Sequence, residues 1–199
     1  MTSQSGRALS RSEEIADAAM PVFLRFGVRK TSMDDLAEAA GLSRQGLYLH
    51  FKNKRQLFHA SLRRAVAQTQ AAVAQELARA DLPAHERLMG AFNALHGPAA
   101  TATSETVNEL LAAASTLGDS LVHDLERFVV EAVADVLRAE GAPERAPGVS
   151  AEDLAFQLLA VAAGVKQLTV PPGDRARHVH IAIALVLGPA DQPPRRDTP

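Results

Sequence analysis

The chain has 199 residues, of which 47% are hydrophobic and only 4% are aromatic. This apolar content supports a folded core, and because Ala and Leu favour helices over strands we expect an all-α fold. The sequence contains no cysteine, which excludes disulfides, thiolate nucleophiles and Cys-ligated zinc. No membrane-spanning apolar run and no secretory signal is visible, so we expect a cytoplasmic protein without membrane, metal or cofactor.

The formal net charge of −2 conceals an uneven distribution of charged residues. Residues 1–64 carry 11 Lys and Arg against 6 Asp and Glu, whereas residues 65–199 carry 10 against 17. A basic N-terminal third on an acidic remainder is typical of a DNA-binding head on a body that does not bind DNA. Ordinary solvated surface charge is the alternative explanation.

Apolar residues recur at three- and four-residue steps over residues 15–26, which predicts an amphipathic first helix. The helix is expected to begin near Ser10 or Ser12, and Ser10 and Glu13 have the spacing of a capping box. Gly27 suits its C-terminal end. Pro21 lies inside the helix, where it removes a backbone hydrogen bond, and we expect a local kink there.

Two short helices are predicted next. Ser32 with Asp35 indicates an N-cap, and Gly41 ends this second helix after about two turns. Ser43 caps a third helix, over residues 44–50. Two short helices joined through a glycine at this spacing predict a helix-turn-helix.

The rest of the chain is expected to be helical. A longer helix starts after Asn53 and ends near residues 80–81, and breaks at Gly and Pro separate the helices that follow. Their predicted ranges are 84–96, 104–116, 119–140, 151–168 and 174–187. The last two are apolar on more than one face and need more than one burial partner, which a dimer interface would supply.

Residues 30–58, KTSMDDLAEAAGLSRQGLYLHFKNKRQLF, closely resemble the tetracycline-repressor (TetR) family of bacterial regulators, and Phe23 to Gly27 match as well. The resemblance covers about residues 11–62, and its most specific part is residues 46–54. It implies an all-helical homodimer that a small-molecule ligand releases from a double-stranded, palindromic DNA operator.

The resemblance also implies a domain organisation. It places a helix-turn-helix DNA-binding domain at residues 11–53 and the connecting helix with a ligand-binding and dimerisation domain at 54–188. The homodimer would form through the last two long helices, at about 151–168 and 174–187. Residues 1–10 and 189–199 are expected to be a flexible and a disordered tail.

Candidate base contacts lie at the N-terminal end of the third helix, which enters the major groove in this motif. Arg44 can pair with guanine and Gln45 with adenine through two hydrogen bonds each. Gly46 permits close approach to the DNA. Leu49 is expected either to touch a thymine methyl group or to pack against a sugar. The alternative is that Arg44 and Gln45 are only solvated surface residues.

Candidate phosphate contacts are Tyr48, His50 and Lys54, which the resemblance assigns to the DNA backbone. At Lys54 the positive end of the fourth helix and the side chain would act together on a phosphate. Thr31 and Ser32 would donate hydrogen bonds from the start of the second helix. Alternatively, Tyr48 is a half-buried aromatic residue and His50 only caps or packs.

The DNA-binding domain also contains two acidic residues near its DNA-facing side and an apolar face that should form its core. Asp34 and Asp35 would repel phosphate, so we expect them to point away from the DNA or to act as caps. The inward face of the third helix should build the core of the head together with the first two helices, through Leu47, Phe51, Phe23, Phe26, Leu36 and Leu42.

An effector pocket is expected among the helices after residue 84, and the effector itself is unidentified. Apolar residues usually line such pockets, although ordinary core packing explains the same residues. His178 and His180 diverge on a helix and make a poor metal site. The candidate pocket residues are Phe92, His96, Leu111, Leu125, Phe128 and Phe156.

Two other classes of protein, an enzyme and an architectural DNA-binding protein, are the alternatives. Enzyme motifs such as Gly-x-Ser-x-Gly, a phosphate-binding Gly-rich loop and His-Glu-x-x-His are missing, and Glu105 and Glu109 are expected to lie on a solvated helix face. An enzyme is therefore not expected. An architectural DNA-binding protein without a ligand is the other alternative, and it would need a C-terminal domain without a cavity.

Overall fold

The computed structural model describes residues 9–97, 102–116, 120–165 and 171–188. The described ranges contain α-helices and a short 3₁₀-helix but no strand, which confirms the prediction of an all-α fold. Nothing in the described ranges forms a helix both long and apolar enough to cross a membrane. The α-helices are α1 Arg11–Lys30, α2 Met33–Ala39, α3 Arg44–His50, α4 Lys54–Leu77, α5 Ala84–His96, α6 Ser104–Ser115, α7 Leu121–Ala139, α8 Ala151–Val165 and α9 Pro172–Leu187.

Some expectations concern residues outside these ranges. The tail at 189–199 lies wholly outside the described residues, and the tail at 1–10 lies outside them except for residues 9 and 10. The predicted start of α7 at residue 119 and the predicted end of α8 at residue 168 also lie outside them. Helix α4 ends at Leu77, earlier than predicted, and Arg87 Nε donates to the Leu77 carbonyl over 2.8 Å.

Serine side chains begin the helices of the N-terminal region, as the sequence predicted. Ser10 forms a complete capping box with Glu13, and Ser32 forms one with Asp35. Ser43 Oγ accepts a hydrogen bond from the Gly46 N–H over 3.1 Å at the start of α3. Each cap satisfies an amide that has no partner within its own helix.

The break in α1 lies at Gly27 and not at Pro21. Gly27 has φ 78° and ψ 166°, while no departure from helical dihedral angles occurs at Pro21. The expected kink at Pro21 is therefore corrected: the fixed φ of proline is compatible with a helix, whereas a positive φ is easily adopted only by glycine. Helical geometry then resumes and α1 continues to Lys30.

The turn between α2 and α3 is a Schellman motif. The Leu42 N–H donates to the Ala37 carbonyl over 2.8 Å and the Gly41 N–H donates to the Glu38 carbonyl over 3.0 Å. Gly41 has φ 64°, the left-handed conformation that this motif requires. The turn therefore sets the direction in which α3 leaves α2.

The chain divides into two compact units, the first containing residues 1–68 and 99–122. In its described part, α1 to α3, the first turns of α4 and α6 pack together. The rings of Phe23 and Phe58 meet edge to face at 5.2 Å. The Arg64 guanidinium of α4 donates two hydrogen bonds to the Asp17 carboxylate of α1, over 2.7 and 2.5 Å, and this ion pair links the two helices.

The predicted core of this unit is confirmed except at Phe26. Phe23, Leu36, Leu47 and Phe51 are buried and Leu42 is partly buried. Phe26 is instead 46% exposed, and the Arg25 guanidinium lies 4.9 Å from its ring centre. Phe26 immediately precedes the break at Gly27, and one face of its ring meets the Arg25 guanidinium instead of the core.

The second unit contains residues 69–98 and 123–199. Its core is built from α5, α7, α8, α9 and the last turns of α4. Small and branched aliphatic side chains dominate this core, in keeping with the low aromatic content. The buried residues include Val73, Leu88, Val129, Val133, Ala134, Leu137, Ala155, Leu158 and Ile183.

Candidate nucleic-acid interface

Helix α3 has one buried side chain, Leu47, and exposes both polar and apolar side chains on its other faces. Leu47 is fully buried, whereas Leu49 is 84% exposed. Arg44 and Gln45, at the N-terminal end of the helix, are also exposed. The short helix is therefore held from beneath and offers its N-terminal end and one side to a partner.

Arg44 is oriented by two neighbouring residues. Its Nη1 donates to Asp34 Oδ2 over 2.9 Å, and its guanidinium lies 5.8 Å from the centre of the Tyr48 ring. A hydrogen bond with Tyr48 and the charge of Asp34 raise the pKa of Arg44 above its usual value. Because both charged side chains are more than half exposed, the pair orients Arg44 rather than stabilising the fold.

The two acidic residues of α2 play different roles. Asp35 accepts from Ser32 N over 2.8 Å and from Ser32 Oγ over 2.7 Å, and these bonds lower the pKa of Asp35. Its expected capping role is confirmed. Asp34 is not the capping residue of α2 but pairs with Arg44, and its expected orientation away from the DNA stays a prediction. The ion pair between Asp34 and Arg44 joins residues ten apart in different helices, so no local sequence pattern predicted it.

Gly46 has a packing reason as well as the predicted functional one. A Cβ atom at this position would lie 3.3 Å from Ser43 Oγ and 3.8 Å from Leu42 Cβ. The missing side chain leaves room for the hydroxyl that caps α3. A contact of Gly46 with DNA stays a prediction.

Tyr48 and His50 are both exposed, as a contact with phosphate requires. His50 Nδ1 lies 3.4 Å from Ser12 Oγ, so it borders the first turn of α1. Ser32 is exposed, but its hydroxyl donates to Asp35. Their proposed contacts with phosphate stay predictions.

Thr31 and Lys54 are placed differently from what the sequence suggested. Thr31 is only 2% exposed and its hydroxyl donates to the Gly27 carbonyl over 2.6 Å. Lys54 Nζ donates to the Thr31 carbonyl over 2.6 Å and to the Arg29 carbonyl over 3.2 Å. Both side chains thus satisfy the end of α1. The buried Thr31 hydroxyl is not placed for its predicted phosphate contact, whereas the predicted contact of Lys54, whose ammonium group has a third donor, stays a prediction.

Two cationic side chains that were not predicted as site residues lie on the exposed surface. Lys52 and Arg55 flank the start of α4 and line a shallow depression with Asn53, Gln56 and His59. The three basic residues within positions 52–55 are the sequence feature that could have indicated a cationic surface here. These side chains are better placed than Lys54 to meet a polyanion.

The six candidate pocket residues are not brought together. Phe92 is buried in the core of the second unit, Leu125 and Phe128 pack against that core, and His96 is partly buried. Phe156 is 59% exposed. Leu111 is 43% exposed and belongs to the first unit. A pocket lined by any of these residues stays a prediction.

The expectation of a solvated acidic face on α6 holds for one residue of two. Glu105 is exposed, but the side chain of Glu109 is only 17% exposed and accepts a hydrogen bond from the Arg29 N–H over 2.7 Å. A contact between residues so far apart leaves no local pattern in the sequence. No group of three potential metal-binding His, Asp or Glu side chains occurs among the described residues.

Comparison with known sequences finds matches to the N-terminal region of the chain. Residues 15–61 match the family model of bacterial regulatory proteins, tetR family. The "Probable acrEF/envCD operon repressor" of Escherichia coli K12 is 42% identical over 52 residues, which are 26% of this chain and 24% of that protein. The transcriptional activator FasR of Mycolicibacterium smegmatis is 36% identical over 92 residues, 45% of this chain and 42% of that protein. The chain thus matches less than half the length of these curated relatives.

Comparison of folds extends over most of the chain. A TetR transcriptional regulator from Legionella pneumophila superposes with a TM-score of 0.70 at 17% sequence identity. The match covers 90% of this chain and 98% of that one. It confirms the all-helical fold, with its N-terminal helix-turn-helix.

Proposed function

We propose that the chain is a DNA-binding transcriptional regulator, from the premise that residues 15–61 match the family model of bacterial regulatory proteins, tetR family. We infer a repressor, released from its operator by a small-molecule ligand. The observation that carries the proposal is the outward N-terminal end of α3, where Arg44 and Gln45 are exposed above the buried Leu47. Such an end is the part of a recognition helix that meets base edges.

We propose that some exposed residues of the DNA-binding domain contact bases and that others contact phosphates. Arg44, Gln45 and Leu49 contact base edges, with the Arg44 guanidinium oriented by its ion pair and by the Tyr48 ring. Tyr48 and His50 contact phosphates, which fixes the register of the head on the duplex without reading sequence.

The proposed active form is a homodimer through α8 and α9. Large apolar side chains are exposed along both helices, which pack against each other within the second unit. A second copy would bury this surface, and a two-fold dimer would present two heads to half-sites about 34 Å apart on a palindromic operator. The exposed residues are Phe156, Val161, Ile181 and Leu185.

We place the effector in the second unit, beside the partly buried residues Leu125, Phe128 and His96. The ligand would favour a dimer whose heads no longer fit successive major grooves. Helix α4 runs through the boundary between the two units and would transmit the change.

Selection of DNA from a random duplex library tests the proposal. The wild-type protein should recover a palindromic consensus. Arg44→Ala should lose the preference for one base pair in each half-site by roughly tenfold, because a bidentate contact with guanine is removed. Failure of the wild-type protein to enrich any consensus would overturn the proposed function.

Arg127→Ala is a matched control for this experiment. The side chain of Arg127 is 60% exposed and pairs with Asp124 at 2.8 Å, and that of Arg44 is 58% exposed and pairs with Asp34 at 2.9 Å. Arg127 lies on α7, outside the head. Its substitution should leave the consensus unchanged, and equal effects of the two variants would contradict the role given to Arg44.

A further inference from the structure

Helix α1 is interrupted where Gly27 takes up a positive φ, and a residue from α6 fills the space beside it. Gly27 is buried, and a Cβ atom there would lie 2.5 Å from Glu109 Oε2 and 2.9 Å from Glu109 Cδ. Such distances are far below van der Waals contact. The Glu109 carboxylate therefore packs against bare glycine backbone.

The same carboxylate satisfies an amide that the break has freed. The Arg29 N–H donates to Glu109 Oε1 over 2.7 Å, a short hydrogen bond to an ionised acceptor. The Arg29 side chain adds a looser contact, with its Nε 3.6 Å from the carboxylate, but it is 81% exposed. The backbone hydrogen bond is thus the stronger of the two contacts.

Residues 27–31 receive further bonds from the start of α4 and from within the segment. Lys54 Nζ donates to the carbonyls of Arg29 and Thr31, and the Thr31 hydroxyl donates to the Gly27 carbonyl. The next residue, Ser32, caps α2. One short segment is thus held by α6 through a carboxylate and by α4 through an ammonium group, just where the helix-turn-helix begins.

We propose that Glu109 is a positioning residue that couples α6 to the DNA-binding head through residues 27–31. The coupling rests on the proposed function, since its consequence is a change in DNA affinity. While α6 is docked, the carboxylate fixes the end of α1 and hence the start of α2. A shift of α6 withdraws the carboxylate, frees the Arg29 amide and loosens the head.

The test compares Glu109→Ala and Glu109→Gln with wild-type protein and with Glu105→Gln, a control from an exposed position one turn earlier on α6. The first readout is hydrogen exchange at the Arg29 amide. The second is the Kd for the duplex that wild-type protein recovers most often from a random library. Circular dichroism establishes that each variant is folded.

For Glu109→Ala we expect the Arg29 amide to exchange at least about tenfold faster and the Kd to weaken by about tenfold. Glu109→Gln keeps an acceptor oxygen but loses the charge, so its values should fall between those of wild type and Glu109→Ala. Glu105→Gln should match wild type in both readouts. An unchanged or tighter Kd for Glu109→Ala, with wild-type protein binding normally, would overturn the coupling alone.

Gly27→Ala supplies a readout that requires no DNA. Its Cβ would collide with the Glu109 carboxylate, so it should lower the unfolding midpoint more in the wild-type background than in the Glu109→Ala background. Equal effects in the two backgrounds would overturn the close packing. If wild-type protein recovers no DNA consensus, the proposed function falls, and the coupling falls with it, whatever the unfolding data show.

Discussion

Lys52 and Lys54 stand two residues apart at the start of α4, yet their surroundings differ. Lys52 is exposed beside Arg55, whereas Lys54 is partly buried and its ammonium donates to the carbonyls of Arg29 and Thr31. A lysine that serves two carbonyls has fewer donors left for a phosphate. At this scale the contacts of each side chain decide its role, although the residue type is the same.

The two lysines should therefore give opposite phenotypes. Lys54→Ala should lower the free energy of unfolding by about 1–2 kcal/mol, because charge-assisted hydrogen bonds are lost. Lys52→Ala should leave stability unchanged and reduce the slope of log Kobs against log salt by about one, because one phosphate contact is removed. Urea denaturation and DNA titrations at several salt concentrations measure both quantities. A reversed pair of phenotypes would return Lys54 to the phosphate-binding set.

At the scale of elements, α2 depends on its N-cap because it is only seven residues long. Ser32 and Asp35 exchange hydrogen bonds that satisfy both ends of the capping box. An ionised Asp35 is the better acceptor and also suits the positive end of the helix. The stability of this element therefore depends on the charge of one carboxyl group.

Asp35 gives a prediction about acid. Its pKa in the folded protein is lowered below 3.8 by the bonds from Ser32, so its contribution is fully present above pH 3.8 and is lost as the pH falls through the lowered pKa. Wild type should be more stable than Asp35→Asn at neutral pH, and the difference should shrink below pH 3.8. Urea midpoints across the acid range check this, with Glu38→Gln as a control on the same helix. A difference that grows in acid would contradict it.

The accuracy of the sequence predictions follows the range of the interactions involved. Capping boxes and the Gly41 turn are formed by residues three to five apart, so the starts of α1, α2 and α3 were predictable. The roles of Lys54 and Glu109 depend on partners more than twenty residues away in the chain, and the local sequence carries no trace of these. The bond from Thr31 to the Gly27 carbonyl spans only four residues, but it depends on the break in α1, which was expected at Pro21. Pro21 misled because its fixed φ already fits a helix.

At the scale of the whole molecule, two leucines are similarly exposed on different units. Leu49 is 84% exposed on α3 and Leu185 is 80% exposed on α9. Leu185 lies with Ile181 on the apolar surface of the second unit, which we propose pairs with a second copy. Leu49 faces the proposed DNA contact.

Matched substitutions should separate these two surfaces. Leu185→Glu should weaken dimerisation by at least about a hundredfold, because two buried copies of the side chain are lost and two charges are introduced. Leu49→Glu should leave the dimer intact and weaken DNA binding. Sedimentation equilibrium gives the association state and DNA titration gives the affinity. A Leu185→Glu protein that stays dimeric would place the interface elsewhere.

The fit between Gly27 and Glu109 also constrains how this protein can change over generations. A Cβ atom at position 27 would stand 2.5 Å from a carboxylate oxygen of Glu109, so one of the two groups must shift, and the positive φ of Gly27 strains any side chain there. We therefore expect descendants to replace the glycine only where residue 109 is shortened or redirected and the backbone at position 27 changes as well. Two sites some eighty residues apart in the sequence are thus expected to change together.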